Sequence, residues 1–353
     1  MANPLRLFPG GIRVTEIDRY SRQIRFSPFG PQGQQRLERS TALVCGCGAL
    51  GTLIAERLVR AGIGQIRLVD RDWVEWSNLQ RQTLFTETDA EQSLPKAVAA
   101  ANALQKINSS VSITPFVEDI TYANLPELAS GCDLILDGTD NFETRFLIND
   151  YCIAHNTPWV HGGCLGASGQ ILAIVPGKTA CFRCLVPDLP PANATETCDS
   201  AGVLGPAIGI IASWQTAEAM KILSGNLQQV QSHLIAIDSW STDCRIIALP
   251  RSPKCPCCGL GQFPFLEGTI RSETTVLCGK NAVQVQLPTS VDADLDRLAQ
   301  QLAAQGTVTA NPFFVRLQLH QHTITFFASG RTVVQGTTSP AEARSLLART
   351  LGT

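Results

Sequence analysis

The chain has 353 residues, 44% of them hydrophobic and 16% charged, with a formal net charge of −2. That length predicts about two domains, and the near-neutral balance, with no long basic run, excludes a charge-driven grip on nucleic acid or on an anionic membrane surface. Thirteen cysteines raise the question of disulfides, but the opening Met-Ala-Asn-Pro-Leu-Arg-Leu-Phe-Pro lacks a signal peptide's basic, apolar and small-residue regions, so a reducing cytoplasm is expected, where Cys-x-x-Cys pairs read as metal ligands.

The pattern opens with a helical arm holding Arg19-Tyr-Ser-Arg22-Gln-Ile, then a short strand from Thr41 to Cys45 that runs into Gly46-Cys-Gly-Ala-Leu-Gly51. Helical spacing follows from Leu50 to Ala61, and a second strand from Gln65 to Asp70. Glycines let this loop approach a phosphate, and the helix N-terminus behind it presents N–H groups and positive dipole. Asp70, about twenty residues past the loop at a strand end, is placed to accept hydrogen bonds from ribose hydroxyls. At this point NAD and ATP fit equally.

Trp76-Ser-Asn78-Leu-Gln-Arg81-Gln, Pro95-Lys96 and Leu136-Asp-Gly-Thr-Asp140-Asn141 come next. Pro95 suits the first turn of a helix running to Ile107, and strands are expected near Val111 to Val117 and Asp133 to Asp137. Hydride transfer has no use for this concentration of cations beside a carboxylate. Phosphoryl or nucleotidyl transfer does, because charge building on phosphates needs Arg, Lys and a divalent ion, and Asp140 is a hard oxygen ligand of the kind magnesium takes. Strands alternating with helices predict a doubly wound, mostly parallel Rossmann-like sheet.

Beyond His155 strands are expected from Pro158 to Gly163 and from Gln170 to Val175, with Cys181 and Cys184 just after them. The stretch from Pro187 to Ser200 lacks apolar periodicity, and loops of that length are often functional. Gly205 to Leu223 reads as a buried helix; strands from His233 to Asp238 and Arg245 to Leu249 lead to Cys255 and Cys258. Two Cys-x-x-Cys pairs predict one four-thiolate zinc site, closed and therefore structural. Cys257 confuses the ligand assignment. His161 reads as a strand-end packing residue, and Cys45 and Cys47 as pointing into sheet and loop. Val203 to Ala212, the longest apolar run, is too short to span a bilayer.

From Phe263 the pattern is a small α+β unit, with strands over Val276 to Gln286, Phe313 to Leu319, Thr323 to Ala328 and Thr332 to Gln335, and helices over Ala293 to Gln305 and Pro340 to Leu351. The expected domains are therefore residues 1–262 and 263–353.

Together Arg-Tyr-Ser-Arg-Gln-Ile, Gly-x-Gly-x-Leu-Gly, Ser-Asn-Leu-Gln-Arg-Gln, Pro-Lys, Thr-Asp-Asn, the two Cys-x-x-Cys pairs and Cys198-x-Ser-Ala-Gly-Val-x-Gly-Pro resemble the ThiF and MoeB type of adenylyltransferase, relatives of the ubiquitin-activating enzymes, from about Tyr20 to Gly259. The resemblance implies that Gly46, Gly48, Ala49 and Gly51 line ATP phosphates, Asp70 meets the ribose, and Ser77, Asn78, Leu79, Gln80, Arg81 and Lys96 belong to the nucleotide site. It gives Asp140 magnesium, with Asn141 beside it, and sends Arg22 into the other subunit's site of a homodimer. Ala49 departs from the family's usual glycine and is tolerable only at negative φ.

The implied reaction is ATP-dependent adenylation of the C-terminal glycine carboxylate of a ubiquitin-like sulfur carrier ending in Gly-Gly, for thiamin, molybdopterin or thiolated-nucleoside synthesis. A sulfur donor such as a cysteine desulfurase is the further partner. In similar proteins a cysteine placed like Cys198 forms a thioester or persulfide-derived link. Here Glu196 and Asp199 disfavour the thiolate, so nucleophile and ordinary loop thiol both stand. Cys278 does not resemble a rhodanese loop. The alternatives are an enzyme acting on a peptide or tRNA-linked carboxylate, an NAD-dependent oxidoreductase, and a non-catalytic module, the last two disfavoured by Arg81, Lys96 and Asp140.

Overall fold

The computed structural model describes residues 14–190, 201–270, 275–277, 281–286, 295–327 and 330–351. Their contacts divide them into two compact units, one holding an eight-stranded sheet and running to Thr269 without Ala201 and Gly202, the other made of those two residues and the described residues from Ile270 onward and holding a six-stranded sheet.

The strands of the first sheet are β1 (Thr41–Cys45), β2 (Gln65–Val69), β3 (Ser112–Phe116), β4 (Leu134–Asp137), β5 (Trp159–Leu165), β6 (Ser168–Ile174), β7 (His233–Asp238) and β8 (Asp243–Ala248), in the order β3-β2-β1-β4-β5-β6-β7-β8. β1 to β5 pair in parallel, whereas β6, β7 and β8 add antiparallel. The expected parallel sheet holds over β1 to β5 and becomes mixed beyond, because only Gly166 and Ala167 separate β5 from β6, which allows a hairpin and no crossover. From β1 the chain builds outward through β2 and β3, then returns to place β4 on the other side of β1. Ligands of doubly wound sheets bind at this reversal, beyond the strands' carboxyl ends.

The helix Gly205–Leu223 keeps its expected bounds. It is apolar around most of its circumference and packs on the helix Ala49–Ala61 and on β5 and β6, as an all-round hydrophobic helix should. A helix over Phe142–Ala154 was not legible in the sequence, because Arg145, Asn149 and Asp150 on it face inward and blur the apolar stripe. Among the described residues no helix is long and apolar enough to cross a membrane.

The second sheet is antiparallel, with strands β9 (Thr275–Leu277), β10 (Ala282–Gln286), β11 (Thr307–Asn311), β12 (Phe314–Gln318), β13 (Thr323–Phe327) and β14 (Arg331–Gln335) ordered β11-β12-β13-β14-β10-β9. Val283, Val315, Leu317, Ile324, Phe326 and Val334 form one apolar face against the helices Leu295–Leu302 and Pro340–Leu351. The single strand expected from Val276 to Gln286 is instead two, β9 and β10, paired antiparallel. β11 escaped notice because its residues are largely exposed and polar.

Candidate nucleotide and cysteine sites

Three glycines meet where β1 and β4 end. Gly46 has φ 90° and donates its N–H to Val69 at 2.7 Å, and Gly138 donates to Cys45 at 2.8 Å. A Cβ on Gly46 would lie 2.7 Å from the Gly138 carbonyl oxygen; one on Gly138 would lie 2.6 Å, and one on Gly51 only 1.8 Å, from the carbonyl oxygen of Gly46. Gly48 is different, with its nearest neighbour at 3.8 Å, so the fold itself does not require a glycine there. It precedes the helix Ala49–Ala61 without capping it by a side chain, leaving the helix N-terminus open to an anion. Ala49 is not among the positive-φ residues, so its Cβ is accommodated.

Asp70 ties this loop to the end of β2. Its Oδ2 accepts from the Cys47 N–H and its Oδ1 from the Asp72 N–H, both at 2.7 Å. Burial pushes its carboxyl above the ordinary range, against the pull of Lys96 and with the push of Asp72. Lys96 is buried at the start of the helix Lys96–Ile107; its N–H donates to the Asp72 carbonyl at 2.8 Å, and its Nζ lies 3.6 Å from Asp72 Oδ2. Arg71 grips both oxygens of Asp119 at 3.0 and 3.2 Å. Burial works to lower its pKa, but Asp119, Asp72 and Asp140 outweigh it and hold the guanidinium above its ordinary value. Sequence reading overlooked Arg71; the available signal was a cation set between two acids, Asp70-Arg71-Asp72.

Trp76–Asn78 is a single 3-10 turn closed by a capping box with Glu75. Asn78 is buried and its Oδ1 accepts from the Glu75 N–H at 3.0 Å, while Arg81 Nη1 donates to the Ser77 carbonyl at 2.8 Å. Ser77 and Gln80 are exposed, and Leu79 packs at the margin of the main core. Asp140 is exposed on the loop after β4, and Asn141 caps the helix Phe142–Ala154 by accepting from the Thr144 N–H at 2.9 Å.

Beneath Asp140 lies a buried polar network. Asp137 Oδ1 accepts from the N–H and Oγ1 of Thr139 at 2.8 and 2.7 Å, and its Oδ2 accepts from Arg145 Nε at 3.1 Å and His161 Nδ1 at 2.7 Å. Burial alone would raise the Asp137 pKa; the Arg145 charge and then the His161 hydrogen bond outweigh it and hold the carboxyl below the ordinary range. Burial pushes His161 down, so the ring is neutral. His161 is therefore more than the packing residue its strand-end position suggests.

Arg22 stands exposed on the helix Val14–Ile24, next to Gln23, which donates to the Ala61 carbonyl at 3.0 Å. Cys198 and Cys278 lie outside the described residues.

The Sγ atoms of Cys181, Cys184, Cys255 and Cys258 all fall within 4.8 Å of one another. Cys181 to Cys255 and Cys184 to Cys258 are 3.5 Å apart, and Cys181 to Cys184 is 4.0 Å. A tetrahedral zinc with bonds of about 2.3 Å sets its sulfurs about 3.8 Å apart, so the four thiols fit that ion closely. Cys257 stands outside that group of four, its sulfur accepting from Asn149 Nδ2 at 3.1 Å while also hydrogen-bonding with Cys181. Of the three cysteines in the second segment, Cys255 and Cys258 are the two that join Cys181 and Cys184 in the cluster.

The model of the ThiF family matches residues 20–257. The sulfur carrier protein ThiS adenylyltransferase of Bacillus subtilis is 41% identical over 338 residues, covering 95% of this chain and 99% of that protein. The sulfur carrier protein adenylyltransferase of Thermus thermophilus is 37% identical over 249 residues, covering 69% and 91%. Among solved structures, E. coli MccB with ATP superposes at a TM-score of 0.61 and 26% identity, over 70% of this chain and 75% of that one. With a family match spanning the glycine loop, Lys96, Asp140 and three of the four clustered cysteines, and kinship along nearly its whole length, the chain belongs to the ThiF family.

Proposed function

We propose that this protein is an ATP-dependent adenylyltransferase that activates the C-terminal glycine carboxylate of a ubiquitin-like sulfur carrier ending in Gly-Gly, for subsequent sulfur transfer. The observation that carries the reading is the 41% identity to a ThiS adenylyltransferase over 95% of the chain, second unit included. The site supports it independently, because the glycine loop, Asp70, Lys96 and Asp140 all sit at the carboxyl ends of β1, β2 and β4 or on the elements next to them.

In the proposed reaction a carboxylate oxygen of the carrier bonds to the α-phosphorus of ATP, and the bond from that phosphorus to the bridging oxygen breaks. Pyrophosphate leaves with the electron pair, giving an acyl-adenylate. The carboxylate is already ionised at neutral pH, so no general base is needed; orientation and charge neutralisation carry the rate. The open N-terminus of the helix Ala49–Ala61 receives phosphate oxygens, Asp70 orients the ribose, and Lys96 and Arg81 oppose the charge that develops on the leaving group. Asp140 would hold magnesium, which supplies further neutralisation of the phosphates. The four clustered cysteines would hold a structural zinc that joins the segment after β6 to the segment after β8.

The proposal extends to a homodimer in which Arg22 serves the neighbouring subunit, and to a cysteine desulfurase as sulfur source. Its test is ATP–pyrophosphate exchange in the presence of candidate carriers. Exchange should need magnesium and a free C-terminal carboxylate, and a carrier amidated at its C-terminus should give none. Tight binding of NAD with no binding of ATP would overturn the assignment.

A further inference from the structure

Asp137 spends both carboxylate oxygens on four hydrogen bonds, to three residues on three different elements around Asp140. Thr139 belongs to the loop that carries Asp140, Arg145 to the helix behind it, and His161 to β5. Arg145 also reaches back, its Nη2 donating to the Thr139 carbonyl at 2.6 Å and to the Gly162 carbonyl at 3.3 Å. The Asp137 carbonyl accepts from Gln215 Nε2 at 2.8 Å. Gln170 Nε2 lies 3.4 Å from His161 Nε2, which suits an acceptor there and so leaves the ring proton on Nδ1, facing Asp137. A buried carboxylate with both oxygens bonded in this way fixes geometry, because any displacement strands a buried polar group.

We propose that His161 is a positioning residue: its Nδ1–H anchors Asp137, and Asp137 acting through Thr139 holds Asp140 where it can present a metal ion to the nucleotide phosphates. The inference rests on the adenylyltransferase reading only for the role of Asp140. The competing role for His161 is packing, since its ring lies 4.7 Å from that of Phe182 and 5.9 Å from that of Trp159, centroid to centroid. Two substitutions separate them. His161→Asn keeps an N–H donor near the place of Nδ1 and loses ring volume; His161→Leu keeps apolar bulk and loses the donor.

Calorimetric titration of ATP into the full chain, with and without magnesium, reads the coupling between metal and nucleotide without any carrier. In His161→Leu the tightening of ATP by magnesium should fall about tenfold, the lower end of what losing an outer partner of a metal ligand costs, while ATP affinity without magnesium stays within about twofold. His161→Asn should keep the tightening despite melting no higher than His161→Leu. Should the Leu variant fail to fold, His161→Met, also without a donor, takes its place. Full magnesium coupling in the donor-less variant, or coupling that simply follows melting temperature, overturns the inference. So does a wild type whose ATP affinity ignores magnesium. Wild type with magnesium-coupled ATP binding but no exchange for any carrier would instead defeat the carrier reading and leave the role of His161 standing.

Discussion

A Cβ on Gly51 would lie 1.8 Å from the carbonyl oxygen of Gly46. Gly51 is thus demanded by the contact between the start of the helix and the end of β1, whether or not a ligand is bound. Gly48 carries no such demand, its nearest neighbour being 3.8 Å from the same test atom. Gly51→Ala should therefore destabilise the fold by about 1–3 kcal/mol, the scale of forced overpacking. Gly48→Ala should leave the melting temperature nearly unchanged and weaken ATP. Equal losses of stability in the two variants would show that the loop glycines share one role.

Asp140→Ala removes an exposed side chain whose pull on Arg71 is smaller than those of Asp119 and Asp72, which remain, so the variant should fold normally. Exchange should drop at least about a hundredfold, the scale of losing preorganised charge stabilisation. Near-normal exchange in a folded Asp140→Ala protein would remove Asp140 from the proposed site.

What the sequence disclosed about the site were the parts whose chemistry is local: the glycine loop, Asp70 after a strand, Lys96 after Pro95, and the paired cysteines. Each depends on residues a few positions apart. Arg71 and the Asp137 network stayed hidden because their meaning is set by partners far along the chain, Asp119 for the one and His161 for the other. The helix Phe142–Ala154 was missed for the same reason, since its inward polar residues Arg145, Asn149 and Asp150 serve Asp137, Cys257 and the Phe265 N–H. Periodicity likewise anticipated β1 to β8 to within a few residues, yet not that β6 turns back antiparallel, which depends on the shortness of its link to β5.

Protein purified without chelator should contain about one zinc per chain. Cys181→Ser should lower the melting temperature and the zinc content together, because binding energy at such a site is folding energy. Cys257→Ser should keep the zinc, as that thiol stands outside the cluster of four. Purified wild-type protein without zinc, or zinc lost from Cys257→Ser and retained in Cys181→Ser, would contradict the ligand set.

His161 is held neutral by burial, with Asp137 pulling its pKa up and Arg145 pushing it down. Its folded pKa lies below the unfolded value of about 6.5, so the unfolded chain takes up a proton first as pH falls. The stabilisation that this neutrality represents is complete above about pH 6.5 and is lost as pH falls from there toward the folded pKa. Asp137, also depressed, loses its contribution only in the acid range below about pH 4. Denaturant unfolding of His161→Asn should therefore show a flatter slope of stability against pH just below about pH 6.5 than the wild type. Identical slopes would mean that His161 titrates alike folded and unfolded.

Arg22 is exposed on the first helix, so its own subunit gives it no buried task. If it completes the neighbouring site of a homodimer, Arg22→Ala and Asp140→Ala chains will each be nearly inactive alone. A mixed dimer would then hold one site with both defects and one with intact Arg22 and Asp140. Random mixing makes about half of the dimers mixed, so activity should recover to about a quarter of the wild-type value. Mixing after reversible dissociation, followed by the exchange assay, measures this directly. No recovery, in a mixture shown by mass to contain mixed dimers, would place Arg22 in its own subunit's chemistry or outside the site altogether.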